Sequence, residues 1–149
     1  QGWTYWTSTE NNTEDYFKCL FYASLGGMDL LQHVSNGKVY QLSPNIYQDD
    51  GNPITVLART PLIDGGNNQR KFYAAMQVIG DIKDTYLKVR YTNNDYQTWS
   101  DWRDLNMNLV KPQLSRLGQG RRRSFDILHL DNKPLRLQAI EVEVVPGDN

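Results

Sequence analysis

The chain has 149 residues, of which 39% are apolar, 22% charged and 11% aromatic, and its formal net charge is −1. That length carries one ordinary domain or two small ones, and that composition builds a packed core, which excludes an intrinsically disordered chain. The longest uncharged apolar runs are only a few residues, which excludes a membrane-spanning helix, so no membrane partner is expected.

Gln1 is followed at once by an aromatic run without a signal-peptide pattern, which suggests a chain cut from something longer. Cys19 stands alone and cannot form an intramolecular disulfide, which fits a reducing compartment. Its setting between Phe17 and Phe21 reads as a small core residue, and as a nucleophile it could turn only to His33 or His129 for a base.

No segment keeps a helical period; short alternation broken by Gly, Asn, Asp and Pro reads as an all-β protein. Trp3–Thr7 is a short aromatic strand and "NNTED" a turn. Phe17–Ser24 sets Phe17, Cys19, Phe21 and Ala23 on one face; "LGG" turns the chain into Met28–Val34. "SNGK" is a hairpin signal leading into Val39–Leu42. Together residues 1–48 read as a four-stranded, β-propeller-blade-like antiparallel unit.

The polar run "SPNIYQDDGNP" reads as a connector, so a second domain is expected over 49–149. Asp49-Asp50-Gly51 lacks the spaced oxygen ligands of a calcium loop and reads as a tight turn, and neither metal nor cofactor is expected. Longer strands follow: Ile54–Arg59, then Arg70–Ile79 with Phe72, Ala74, Met76 and Val78 on one face, then Tyr86–Tyr91 with Leu87, Val89 and Tyr91 inward. Gln97–Asp104 carries Trp99 and Trp102, and Gln113–Leu117, Ser124–Leu130 and Leu135–Val145 complete the set. Such one-sided alternation predicts two stacked antiparallel sheets, a β-sandwich or jelly roll.

Charge is unevenly spread. Residues 1–69 carry three basic residues and seven acidic ones, a balance of −4, whereas residues 111–136 carry seven basic and two acidic, a balance of +5. That polarity suits two surfaces with different partners. Within the basic part, "RLGQGRRRSF" holds Arg116, Arg121, Arg122 and Arg123. It reads as a solvated hairpin shoulder or as an electrostatic contact, with a protein partner first and a nucleic-acid backbone second. No Gly-rich phosphate loop, CxxC pair, HExxH or nucleophile elbow is present, so catalysis is not expected. A carboxylate pair of a glycosidase could still be drawn from distant strands.

The stretch "YTNNDYQTWSDW", Tyr91 to Trp102, contains two of the four tryptophans. Its Thr92–Trp99 part resembles the Asp-box hairpin, Ser/Thr-x-Asp-x-Gly-x-Thr-Trp, with Asn94 at the usual Asp and Tyr96 at the usual Gly. Asn94, Asp95 and Thr98 are expected to cap the hairpin and Trp99 to be its buried peg. Trp3, Trp6 and an exposed Trp102 are candidate interface or glycan aromatics.

The ordered series Asn36-Gly37-Lys38 with Tyr40, Asp49-Asp50-Gly51 with Pro53-Ile54, Arg59-Thr60-Pro61, Thr98-Trp99-Ser100, Arg116-Leu117-Gly118, then Arg121, Arg123 and Phe125, resembles the C-terminal part of the packaged DNA stabilisation proteins of short-tailed phages. Asn132-Lys133-Pro134 stands near that family's Asp-Pro, and Ser115 stands where a second Arg would precede Arg116. The resemblance implies a propeller with an appended β-sandwich and a structural role in the tail below the portal. It further implies a homo-oligomeric ring in the longer parent, partnership with other tail and portal proteins, retention of packaged DNA with non-specific contact to it, and a place in the virion after synthesis in the host cytoplasm. The competing expectation is a carbohydrate- or receptor-binding β-sandwich of a tail-tip adhesin.

Overall fold

The computed structural model describes residues 7–10 and 13–147, and every regular element in it is a β-strand. The chain forms two compact units, 1–55 and 56–149.

In the first unit β1 (Thr7–Glu10) and β2 (Thr13–Tyr16) pair as a hairpin. A separate meander follows: β3 (Cys19–Leu25), β4 (Met28–His33) and β5 (Val39–Leu42), with Gly37 at φ 70° supplying the left-handed residue of its second turn. The expected four-stranded blade is therefore a three-stranded sheet beside a hairpin. Trp3 and Trp6 lie outside the described residues, and so does the larger part of the strand predicted over them.

A bulge between Cys19 and Phe21 shifts the register. One extra residue reverses the side-chain parity. Cys19 therefore pairs with His33 on the face of Leu31, while Phe21 pairs with Gln32 on the opposite face, which breaks the single face predicted from alternation. Next, β6 (Gln48–Asp49) and β7 (Asn52–Pro53) close on a two-residue turn with Asp50 at φ 47° and Gly51 at φ 82°. The tight turn read from Asp49-Asp50-Gly51 is present. It folds with the first unit rather than opening the second, because Asp50 accepts hydrogen bonds from Lys38 Nζ at 2.7 Å and Tyr40 Oη at 3.1 Å.

The second unit is a β-sandwich. Its first sheet is ordered β11 (Arg103–Asn106), β10 (Tyr86–Thr92), β14 (Ser124–His129), β8 (Val56–Arg59). The other centres on β9 (Lys71–Gly80), with β15 (Leu137–Pro146) along one edge and β12 (Gln113–Ser115) and β13 (Gln119–Gly120) along the other. All pairings are antiparallel. The core joins Tyr73, Met76 and Val78 of β9 to Leu87 and Val89 of β10 and to Phe125 and Ile127 of β14. Burying each such side chain stabilises the fold by about 1.5–3 kcal/mol before entropy is counted.

Leu87 and Val89 point inward as alternation predicts. On β9 a second register shift, between Val144 and Glu143 opposite Tyr73 and Ala75, reverses the parity. Tyr73 therefore joins Met76 and Val78 in the core and Phe72 is left half exposed, where alternation had put Phe72 inward. The strand predicted over Gln97–Asp104 begins only at Arg103, so both tryptophans precede it.

Candidate electrostatic site in the sandwich

Arg123 is fully buried. It shares strand parity with Phe125 and Ile127 at the end of the core, and an isolated bridge to Ile63 fixes its backbone. Its guanidinium carbon sits 4.1 Å from the Tyr73 ring centre and 4.0 Å from that of Tyr91, which sandwiches the cation between two aromatic faces. The nitrogens donate to Asn93 Oδ1 at 2.8 Å, to the Leu117 carbonyl at 2.7 Å and to the Gln119 carbonyl at 3.5 Å. Burial pulls its pKa down to about 10, which still leaves it charged at neutral pH. The expectation that Arg123 meets an external partner is thus corrected, because the interior of its own sandwich consumes every face of the group.

The outer face of the same sheet carries a second network. Asp126 is fully buried and receives Arg59 Nε at 2.7 Å, Arg59 Nη2 at 3.0 Å and Arg90 Nη2 at 2.9 Å. Burial pushes this carboxyl up, but the hydrogen bonds and charges of Arg59 and Arg90 outweigh it and hold the group below the usual carboxylate value. Arg90 lies 4.4 Å from the ring centres of both Trp99 and Trp102, and Arg59 lies 4.8 Å from Trp99 and 5.4 Å from Tyr96. Trp99 is therefore a half-buried lid over two arginines on the outside of the sheet, rather than a peg in the core. Trp102 is 36% exposed with a face stacked on Arg90, so it is not a bare platform.

The hairpin that delivers these rings is capped by Asn94 and Thr98 as its sequence suggests, whereas the Asp95 carboxylate, expected to join them, pairs with Arg122. Asn94 Oδ1 accepts from Thr98 N at 2.9 Å, Asn94 Nδ2 donates to Thr98 Oγ1 at 2.7 Å, and Thr92 Oγ1 donates to Asn94 Oδ1 at 2.9 Å. Tyr96, at the position where the pattern has Gly, adopts φ 69°, and Asp95 adopts φ 57°. The turn forms despite the missing glycine, at a strain of about 1–2 kcal/mol for each such residue, and Tyr96 then stacks on Trp99 at 6.1 Å.

Beside Arg123 opens a polar cleft of about 780 Å³. Arg70, Arg121 and Arg122 reach into it together with the amides of Asn67, Asn68, Asn93 and Gln119, and Asp64 lines it as well. Arg122 is paired with Asp95, while the side chains of Arg70 and Arg121 have no partner among the described residues. Buried Lys71 pins the walls: its Nζ donates to the carbonyls of Asn67 at 2.8 Å, Gln69 at 2.8 Å and Arg121 at 3.1 Å. Gly120 is fixed by space, since a Cβ there would lie 2.6 Å from Asn93 Oδ1, the acceptor of Arg123. Arg116 is exposed with φ 57° at the turn before Leu117 and lies outside this cleft. Of the four predicted arginines, then, two meet at the cleft, one is core and one stands apart. Arg70, Lys71 and Asn67 were missed because they come from a different loop, which no local motif connects to the arginine run.

The histidines and Cys19 are used locally. Thr85 Oγ1 donates to Asp131 Oδ2 at 2.7 Å, so His129 Nε2, 2.9 Å away, must be the donor to Thr85. This proton order is the reverse of that in a nucleophile–base pair. Burial pulls the His129 pKa down, against the opposing charge of Asp131. As pH falls below about 6.5 the unfolded chain therefore protonates first and stability declines. We expect wild-type urea midpoints to drop between pH 7.5 and 5.5, and His129→Gln, which keeps a donor for Thr85, to flatten that drop; equal slopes would refute it. His33 Nδ1 accepts from Ser35 N at 3.1 Å and Asn36 N at 3.2 Å, and burial followed by the charge of Asp49 raises the Cys19 thiol, so it is not an activated nucleophile. No group of three His, Cys, Asp or Glu side chains suited to a metal occurs among the described residues.

No protein-family model matches this chain, and no curated protein matches it.

Proposed function

We propose that the chain is a structural, non-catalytic part of a phage tail or neck, a ring-forming hub or nozzle that joins portal to tail and helps retain packaged DNA. The observation that carries this reading is the apolar outer face of the β3–β4–β5 sheet. Its register places Phe21, Leu25, Met28 and Val39 on one face, and these are 66%, 67%, 42% and 62% exposed. A soluble monomer rarely leaves so contiguous an apolar face bare, and a blade-like sheet is stable when neighbours stack on it. The motif residues behind the phage resemblance also serve structure. Asn36 and Lys38 meet Tyr40 and Asp50, and Arg59 meets Asp126. Thr60 Oγ1 accepts from Phe125 N, and Leu117 offers its carbonyl to Arg123.

Sedimentation velocity at rising concentration, alone and with portal and tail proteins, tests the reading. We expect concentration-dependent association, weakened by roughly 100- to 10,000-fold in Phe21→Asp/Leu25→Asp, since two lost apolar contacts, each worth about 1.5–3 kcal/mol when fully buried, amount to about 3–6 kcal/mol. A chain that stays monomeric under all these conditions would remove the main support for this role.

A further inference from the structure

We propose that the cleft between the Asp64–Gln69 loop and the Gln119–Arg122 turn binds a carboxylate-bearing sugar unit of an acidic polysaccharide. Its volume of about 780 Å³ lies within the range of small-ligand sites. Arg70 and Arg121 offer two guanidinium forks that no described side chain neutralises, and such forks match the planar geometry of a carboxylate.

The remaining lining separates a sugar from a nucleic acid. The amides of Asn67, Asn68 and Gln119 combine donors and acceptors, as a ring of hydroxyls requires. Asp64 spends Oδ1 on Gly66 N at 2.9 Å, and its other oxygen is placed to accept from a sugar hydroxyl, a donor that a phosphodiester lacks. No aromatic residue among the described residues lines the cleft, so bases have none of these to stack on. The walls are already set by buried groups: Lys71 holds both rims by their carbonyls, and Arg123 holds Asn93 and Gln119 from below. A ligand therefore meets a site that needs little ordering, which favours affinity. The glycan reading thus moves from Trp102 to this cleft.

Isothermal titration of the full chain with trigalacturonate, with the neutral galactose trimer, with inorganic phosphate and with a short DNA duplex tests the assignment. Trigalacturonate should bind, more weakly at high salt, and the neutral trimer should not. Arg70→Ala/Arg121→Ala should lose at least tenfold in affinity with an unchanged melting temperature, because both side chains are exposed. Trp102→Ala should bind as wild type does. Absence of acidic-sugar binding, equal binding of the neutral trimer, loss of binding in Trp102→Ala, or tighter binding of phosphate or duplex that the arginine variant abolishes, would each overturn the proposal. The association test above reads a different surface, so either result can fail without the other.

Discussion

Replacing Arg123 by alanine lowers the stability of the sandwich by about 3–5 kcal/mol, the range of a large side chain removed from a packed core that also leaves buried acceptors unpaired. The lost groups are specific. Tyr73 and Tyr91 would face a void, and Asn93 Oδ1 and the Leu117 carbonyl would lose donors at 2.8 and 2.7 Å. Arg123→Lys should recover only a minor part of the loss, because an ammonium cannot present the planar fork that lies between two rings and donates at its edges. Arg121→Ala, two residues away and exposed, should shift stability by no more than about 0.5 kcal/mol. Urea denaturation of the three variants measures the contrast. Equal effects at 121 and 123 would contradict the buried role.

The second large effect is expected at Asp126. Removing one member of a buried charge pair costs about 3–5 kcal/mol. Here Arg59 and Arg90 keep 44% and 26% of their side-chain surface in water, which screens the charges left behind, so Asp126→Asn should cost less than that range, about 2–3 kcal/mol. The pH dependence has a defined sign. The folded carboxyl is held below the ordinary value of about 3.9, so its contribution is full above that value and fades as pH falls through the folded one. Wild type and Asp126→Asn should therefore differ most near neutrality and draw together as pH falls below the ordinary carboxylate value of about 3.9. Denaturation midpoints measured from pH 7 to pH 2.5 would expose a parallel offset, which would mean that the carboxylate charge is not what holds the two arginines.

The strands of the sandwich are legible in the sequence wherever alternation is unbroken, as along Leu87, Val89 and Tyr91. Legibility fails at the bulges, since one unpaired residue reverses every later side chain and leaves no mark in composition. The role of Arg123 was available in principle: it stands two residues before Phe125 and four before Ile127, on the parity of the core. Three adjacent arginines read more naturally as one solvated patch, and only tertiary structure separates the buried one from its neighbours. The aromatic stretch was legible as a capped hairpin. Its use as a roof over Arg59 and Arg90 was not, because the partners come from strands far apart in the chain. The cleft was half legible, through Arg121 and Arg122, while Arg70 and the Asn-rich loop join it only through Lys71.

The close approach of Gly120 to Asn93 bears on how such a chain can drift over generations. A methyl group at 120 would push the Asn93 amide aside, and that amide is what receives Arg123. A change at any one of these three positions is thus felt at the other two. Residues 93, 120 and 123 are therefore coupled, and the cost of a substitution at one of them should depend on which residues stand at the others.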